Sequence, residues 1–253
     1  MRQSAVLRSL VLGLLLGAAL VGRPALAQPS DPFSDWYYTT ERTVTVYLAP
    51  DSTRPYFELR LREPVQVIED AGRWVRVRTE ERAEGYVPRF ALSNVWIRVS
   101  KREATVYLYP GSVLVQSFPA DFGQNQFADK ERRGSLYDPD HWRTPDGVFF
   151  VARKNPRSQF YKALVINYPN AEDAERGLEQ GYISQAEYNA IMRAEATISM
   201  PPMNTALGGW IEIHGDGTGA RSNWTRGCVA VHNNHMDVLW RYATVGTPVV
   251  IEP

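Results

Sequence analysis

Residues 210–233 read WIEIHGDGTGARSNWTRGCVAVHN, and this stretch decides the fold prediction. It begins with an alternating strand pattern that ends at His214, passes through a glycine-rich gap, and reaches Cys228. Cys228 is the only cysteine in the 253-residue chain. A lone cysteine forms no disulfide within its own chain, so it is either an inert buried thiol or a retained nucleophile. His214 supplies a possible base for the second alternative.

The first 27 residues have the pattern of a secretory signal peptide. Arg2 precedes an apolar run at 10–21, and Ala25 and Ala27 match the small-x-small cleavage pattern. The run of about a dozen residues is too short for a membrane span of about 20. We therefore predict export to the periplasm or cell wall, with no transmembrane span once the signal is removed. An uncleaved anchor is the alternative.

The charge balance argues against nucleic-acid binding. The chain has 28 basic and 28 acidic residues, and residues 1–27 contain three arginines and no acid. Without that segment the formal charge is about −3, from 25 basic and 28 acidic residues. Nucleic-acid binders need a clustered positive face, so we expect no nucleic-acid partner.

Short strand patterns separated by turns occupy most of the chain, so the predicted fold class is mainly β. Residues 28–42 are predicted to be a leader. Residues 43–93 contain four strand patterns, a Trp74 that follows a glycine turn, and a terminal Gly-Tyr-Val-Pro at 85–88. These features resemble a bacterial SH3-like domain, which is a small barrel. In exported proteins such a domain often contacts peptidoglycan or packs against a catalytic domain, and a purely structural barrel is the alternative.

Residues 95–253 form the larger predicted domain, in which strands surround a helical segment at 171–196. Gly181 divides that segment into two helices. Ser184 begins the second helix as its N-cap, and Glu187 follows three residues later in a capping-box pattern. We therefore expect a strand-rich domain with a helical insertion.

The histidine, glycine, cysteine and asparagine residues near the end of this domain resemble the catalytic signature of the L,D-transpeptidases. Those enzymes have a strand that ends in His-Gly or His-Ser, then Ser/Thr-x-Gly-Cys, and an Asn five positions after the Cys. The corresponding residues here are His214 and Gly215, residues 225–228, and Asn233. Residues 144–147 also resemble the Thr-Pro-x-Gly turn of that family. The resemblance implies a β-sandwich-like catalytic domain over 95–253.

The resemblance also implies a role for each residue at the signature. Cys228 would be the nucleophile and His214 the general acid and base, oriented by the backbone carbonyl of Gly215. The backbone N–H groups of Gly227 and Cys228 would form the oxyanion hole. A nearby imidazole is expected to raise the reactive fraction of the Cys228 thiol.

Three residues are candidates for substrate binding, namely Thr225, Asn233 and Trp224. For Thr225 and Asn233, hydrogen bonding to the local backbone is the alternative. The chain departs from the family pattern at two positions. Arg226 stands where many members have His, and Ala230 stands where many have Arg.

A second pattern, His232 and His235, suggests metal ligands if Cys228 and His214 are added to it. We favour the alternative, in which His235 lies in a helix capped by Asn233 or Asn234. The resemblance requires no cofactor and no metal.

The implied activity is acyl transfer on peptidoglycan stem tetrapeptides through a cysteine thioester. The acceptor would be a second stem, which gives a 3→3 cross-link, or a lipoprotein lysine or a D-amino acid. Two other functions remain open. One is a cell-wall amidase or L,D-carboxypeptidase that uses the same Cys and His, and the other is a non-catalytic wall-binding protein.

Overall fold

The computed structural model describes residues 35–219 and 222–253. The predicted signal peptide at 1–27 and the predicted leader up to residue 34 lie outside the described residues. Within the described ranges the fold is mainly β, with fifteen strands and three α-helices. None of the helices in those ranges is long and apolar enough to cross a bilayer.

Seven strands form the first sheet, in the order β3-β2-β6-β5-β4-β1-β7. Side chains alternate between the buried and solvent faces, as the period of two predicts. Valines and leucines on the inner face make a separate hydrophobic core. The strands are β1 Trp36–Thr39, β2 Thr43–Tyr47, β3 Pro55–Arg60, β4 Pro64–Ala71, β5 Trp74–Thr79, β6 Glu84–Pro88 and β7 Leu92–Ser93.

Strand β1 falls inside the segment 28–42 that was predicted to be a leader. It pairs with β4 and β7, so residues 36–39 belong to the sheet and the leader prediction is wrong for them. Tyr38 also donates a hydrogen bond to the carbonyl oxygen of Val95 at 2.7 Å, which anchors the strand. The SH3-like character of 43–93 and the proposed domain boundary stay predictions.

Eight strands form the second sheet, in the order β10-β9-β8-β15-β11-β12-β13-β14. Strand β13 lies between β12, to which it is antiparallel, and β14, to which it is parallel. The strands are β8 Val95–Ser100, β9 Thr105–Pro110, β10 Gln116–Pro119, β11 Gly147–Ser158, β12 Tyr161–Ile166, β13 Glu212–His214, β14 Val229–Ala230 and β15 Pro248–Glu252. Aliphatic and aromatic side chains from these strands and from the last helix form the hydrophobic core of this sheet.

The predicted helical insertion lies between β12 and β13 as helices α1 Ala171–Glu179 and α2 Gln185–Ala196. Ser184 is the N-cap of α2, and its side chain accepts from the Glu187 N–H while Glu187 accepts from the Ser184 N–H. The predicted capping box is therefore confirmed. Both backbone donors at this helix start are satisfied without tertiary contacts.

The third helix, α3, spans Asn233–Tyr242 and contains His235 as predicted. The predicted cap is wrong, because the N-cap position is His232 and its side chain makes no capping bond. Asn233 is the first helical residue, and its side chain bonds to Asp216 instead. The Asn233 side-chain amide therefore bonds to a residue outside the helix, whereas the sequence pattern predicted that it would cap the helix.

Val99 in β8 is fully buried in the core of the second sheet, whereas Val148 in β11 is 59% exposed. Val99→Ala is expected to lower the free energy of unfolding by about 2 kcal/mol, because it removes buried methyl groups and leaves a cavity. Val148→Ala is the matched control and should change the stability by less than about 0.5 kcal/mol. Urea denaturation of the two variants tests this, and equal losses would contradict the described packing.

Candidate active site

The parallel pairing of β13 with β14 brings the two ends of the signature together. Ile213 pairs with Val229 and His214 pairs with Ala230. Cys228 is the residue directly before β14. The same register, continued by one residue, sets it beside Glu212. A sequence gap of more than ten residues is thereby closed, and Cys228 and His214 line the same cleft, which has a volume of about 1030 Å³.

His214 is held in one orientation by its backbone neighbour and by two aromatic rings. It is 1% exposed, and its Nδ1 lies 2.7 Å from the carbonyl oxygen of Gly215. If Nδ1 donates the proton in this bond, Nε2 is left with the lone pair of a base. The Phe160 ring stacks on the imidazole at 4.4 Å, and the Trp224 ring meets it edge-on at 6.1 Å.

Position 215 requires glycine because neighbouring atoms lie too close to it for any side chain. A Cβ at this position would lie 2.2 Å from Asn233 Oδ1 and 3.0 Å from the carbonyl oxygen of Phe160. Its backbone N–H donates to the same Phe160 oxygen at 3.0 Å. The absence of a side chain therefore lets the carbonyl of Gly215 reach the imidazole.

Cys228 is partly exposed and lines the cleft. Sγ donates to the carbonyl oxygen of Trp210 at 3.5 Å. Burial raises the pKa of the Cys228 thiol to about 12, the negative charge of Glu212 adds to the rise, and Lys130 opposes it. Burial also lowers the pKa of His214 below its ordinary value.

These two pKa shifts favour a neutral thiol beside a neutral imidazole at neutral pH. The expectation that a nearby imidazole raises the reactive fraction of the Cys228 thiol stays a prediction. A neutral His214 imidazole has a lone pair on one ring nitrogen, which can accept a proton.

One of the two predicted oxyanion donors, the Gly227 N–H, is already hydrogen-bonded within the loop before Cys228. The Gly227 N–H donates to Thr225 Oγ1 at 3.2 Å, and the Thr225 hydroxyl donates to the carbonyl oxygen of Cys228 at 2.7 Å. Thr225 is buried and holds the loop, which favours its scaffold interpretation over direct substrate binding. The Cys228 N–H has no hydrogen-bond partner in the described part of the chain and remains as the available donor.

Gly227 itself adopts φ of +124°, in the region that favours glycine. A Cβ there would lie 2.6 Å from the carbonyl oxygen of Arg143. The Gly-Cys turn therefore depends on glycine for both conformation and space.

The other two candidates for substrate binding occupy different positions. Asn233 accepts from the Asp216 N–H at 2.7 Å and donates to Asp216 Oδ1 at 2.9 Å, so its amide holds the loop after Gly215. Trp224 lines the cleft, and its indole N–H donates to Asp121 Oδ2 at 2.9 Å. Trp224 is thus the candidate whose ring is available to a bound substrate.

The two departures from the family pattern have structural consequences. Arg226 is exposed at the cleft, and its guanidinium lies 4.8 Å from the centre of the Trp142 ring in a cation–π contact. Ala230 is fully buried, and Gly217 packs so closely that a Cβ on it would lie 2.6 Å from Ala230 Cβ. The structure therefore has no space for a longer side chain at 230 unless that loop moves.

The His232 and His235 rings lie 5.3 Å apart, and His232 Nε2 hydrogen-bonds to Thr218 Oγ1. Among residues 35–219 and 222–253, no group of three or more His, Cys, Asp or Glu side chains is placed to hold a metal ion.

Sequence reasoning missed three cleft residues that bear on the chemistry, namely Lys130, Phe160 and Glu212. Glu212 had a usable signal, because it lies two positions before His214 on the same face of a predicted strand. Lys130 and Phe160 lie far from the signature along the chain, and only the fold brings them to it.

Residues 94–251 match the profile of the YkuD family, the L,D-transpeptidase catalytic domain. The chain belongs to this family. The match covers more than half of the chain and includes every cleft residue described above. The fold prediction of an L,D-transpeptidase catalytic domain with a helical insertion is therefore confirmed.

Among curated proteins, the putative L,D-transpeptidase YafK of Escherichia coli K12 is 31% identical over 97 residues, which are 36% of this chain and 37% of the relative. The chain thus spans little more than a third of the curated relative it matches. Among solved structures, Bd1075 of Bdellovibrio bacteriovorus is 21% identical with a TM-score of 0.41, covering 63% of this chain and 48% of that one. An L,D-transpeptidase from Mycobacterium smegmatis is 13% identical with a TM-score of 0.38, covering 90% and 88%.

Glu212→Gln should lower the pKa of the Cys228 thiol, because it removes a negative charge beside the thiolate. The rate of iodoacetamide alkylation between about pH 7 and 10 reports the thiolate fraction. Since Cys228 is the only cysteine, no other thiol contributes to the signal. The variant should react faster than the wild type, whereas Glu58→Gln, an exposed change in the first sheet, should not. An unchanged or slower rate for Glu212→Gln would contradict the described electrostatics.

Thr225→Val keeps the shape of the side chain but leaves the Gly227 N–H and the Cys228 carbonyl without their partner. We expect it to lower the free energy of unfolding by about 1–3 kcal/mol. Thr225→Ser retains the hydroxyl and should lose less than about half as much. Urea denaturation compares the two variants. Equal stabilities would show that the hydroxyl does not hold the loop.

Proposed function

We propose that this chain is a cysteine-dependent L,D-transpeptidase that acts on peptidoglycan stem tetrapeptides. The observation that carries the proposal is the shared cleft, which is lined by Cys228 and by a buried His214 whose Nδ1 is bonded to the Gly215 carbonyl oxygen. A nucleophile, a base and a group that orients the base are the elements of nucleophilic catalysis.

In the first step, Cys228 Sγ attacks the carbonyl carbon of the third stem residue while its proton passes to Nε2 of His214. Transfer during the attack is consistent with the raised pKa of the thiol and the lowered pKa of the imidazole. A C–S bond forms, and the carbonyl oxygen becomes an oxyanion. The Cys228 N–H, which has no partner among residues 35–219 and 222–253, would donate to that oxygen.

In the second step, the bond between the carbonyl carbon and the nitrogen of the terminal D-alanine breaks. The His214 imidazolium returns its proton to that nitrogen, D-alanine leaves, and a thioester remains on Cys228. An acceptor amine then attacks the thioester and gives up a proton to His214, and the proton restores the thiol. A second stem as acceptor gives a 3→3 cross-link, and a lipoprotein lysine or a D-amino acid gives an attached product.

Water in place of the amine would make the same residues an amidase or L,D-carboxypeptidase. Acceptor choice depends on the shape of the acceptor side of the cleft. The proposal therefore assigns the donor half-reaction to Cys228 and His214 and leaves the acceptor to experiment. We include periplasmic or cell-wall localisation in the proposal, on the basis of the signal-peptide pattern at 1–27.

Incubation of the purified protein with a disaccharide-tetrapeptide, followed by mass spectrometry of the products, tests this function. Cross-linked dimers are the expected product. Cys228→Ala should abolish the reaction, and His214→Gln should slow it by about 10²- to 10⁴-fold. His235→Gln, a histidine in α3, is the matched control and should retain activity.

If the products are tripeptide monomers without dimers, the reaction is hydrolysis and not transpeptidation, and Cys228 keeps its proposed role as nucleophile. Activity that survives Cys228→Ala would contradict the proposed nucleophile. A wild-type protein that leaves the substrate unchanged but binds peptidoglycan would favour the non-catalytic alternative.

A further inference from the structure

We propose that Lys130 binds the terminal carboxylate of the donor peptide, on the leaving-group side of the scissile bond. This inference rests on the proposed function, since it concerns the same cleft and the same substrate. It goes further by assigning the carboxylate to a residue that lies outside the catalytic signature.

Lys130 is buried and yet faces the site. It is 3% exposed, belongs to the segment between β10 and β11, and lines the cleft together with Cys228. Its side chain also packs under Gly208, where a Cβ would lie 3.2 Å from Lys130 Cε. The lysine chain is therefore held in place before any ligand binds.

The ammonium group has fewer partners than its charge requires. Nζ donates one hydrogen bond, to the carbonyl oxygen of His141 at 3.0 Å, and lies 5.9 Å from the centre of the Tyr168 ring. An ammonium has three donors. In the described part of the chain, no carboxylate oxygen lies within 4.0 Å of it. A buried cation without a counterion is costly to a folded protein.

The other fully buried lysine shows the usual arrangement. Lys101 is 0% exposed, and its Nζ forms an ion pair with Asp146 Oδ1 at 2.7 Å. Two carbonyl oxygens, of Ala128 and Thr144, complete its surroundings at 3.4 Å each. Lys101 is thus neutralised within the fold, whereas Lys130 is not.

Asp173 interacts electrostatically with Lys130, but its carboxylate is hydrogen-bonded to other groups. Asp173 accepts from Arg176 at 2.6 Å and from the Asn170 N–H at 3.1 Å, so its carboxylate is already engaged. Burial lowers the pKa of Lys130 to about 8, which still leaves most of the ammonium protonated at neutral pH. The cleft therefore presents an unpaired positive charge to its ligand.

The chemistry of the donor peptide supplies the missing anion. The proposed scissile bond is followed by one residue, whose carboxylate is the chain terminus. Lys130 lines the cleft together with Cys228, and the two side chains interact electrostatically. Pairing with the carboxylate would complete the ammonium's hydrogen bonds and orient the leaving group. Charge-assisted hydrogen bonds of this kind are stronger than neutral ones.

The experiment compares two donor peptides, one with a free C-terminal carboxylate and one with a C-terminal amide. We expect the wild type to process the carboxylate about 10- to 100-fold better in kcat/KM, because the amide leaves the ammonium unpaired. Lys130→Met should lose that preference, mainly by losing activity on the carboxylate. Lys162→Met removes a lysine that is paired with Asp237 outside the cleft, and it should keep the preference.

A wild type that processes both peptides equally would overturn the inference, even if Lys130→Met failed to fold. So would a Lys130→Met variant that keeps the preference. An equal loss on both peptides would assign Lys130 to the thiolate or the oxyanion, and would overturn the carboxylate assignment. Failure of the wild type on both peptides would instead contradict the proposed function, and the inference would fall with it.

Discussion

The parallel pairing of β13 with β14 is the contact on which the site depends. Each strand is short, and their register places Cys228, the residue before β14, beside the strand that ends at His214. A slip of one residue would turn the side chains of one strand to its other face. The buried core behind Ile213 and Val229 opposes such a slip, because both side chains would lose their packing. The hydrophobic core therefore holds the register that places Cys228 and His214 in one cleft.

Burial has two consequences for the electrostatics of the cleft. It raises the pKa of the Cys228 thiol and lowers the pKa of the His214 imidazole, which favours the uncharged form of each side chain. It also leaves Lys130 charged but without a counterion among the described residues. The cleft thus combines an uncharged thiol with a positive side chain.

Features fixed by neighbours along the chain were the most predictable. The capping box of Ser184 and Glu187, the strand that ends at His214, and the glycines of the two turns could all be predicted, because each depends on local backbone geometry. Residues whose partners are distant in sequence were misassigned or missed. Asn233 bonds to Asp216 across a loop instead of capping α3, and Lys130 reaches the cleft only through the fold. Strand β1 was missed because it is held by pairing with β4, which lies further along the chain, and its own four residues do not reveal that pairing.

Direct detection of an acyl group on Cys228 tests the central claim most directly. Protein that is quenched in acid during turnover of a tetrapeptide can be digested and mapped by mass spectrometry. The account predicts that the peptide containing Cys228 carries the mass of the donor without its terminal D-alanine, and that neutral hydroxylamine removes it as expected for a thioester. A Cys228 peptide that remains unmodified while product accumulates in a single turnover would contradict the account.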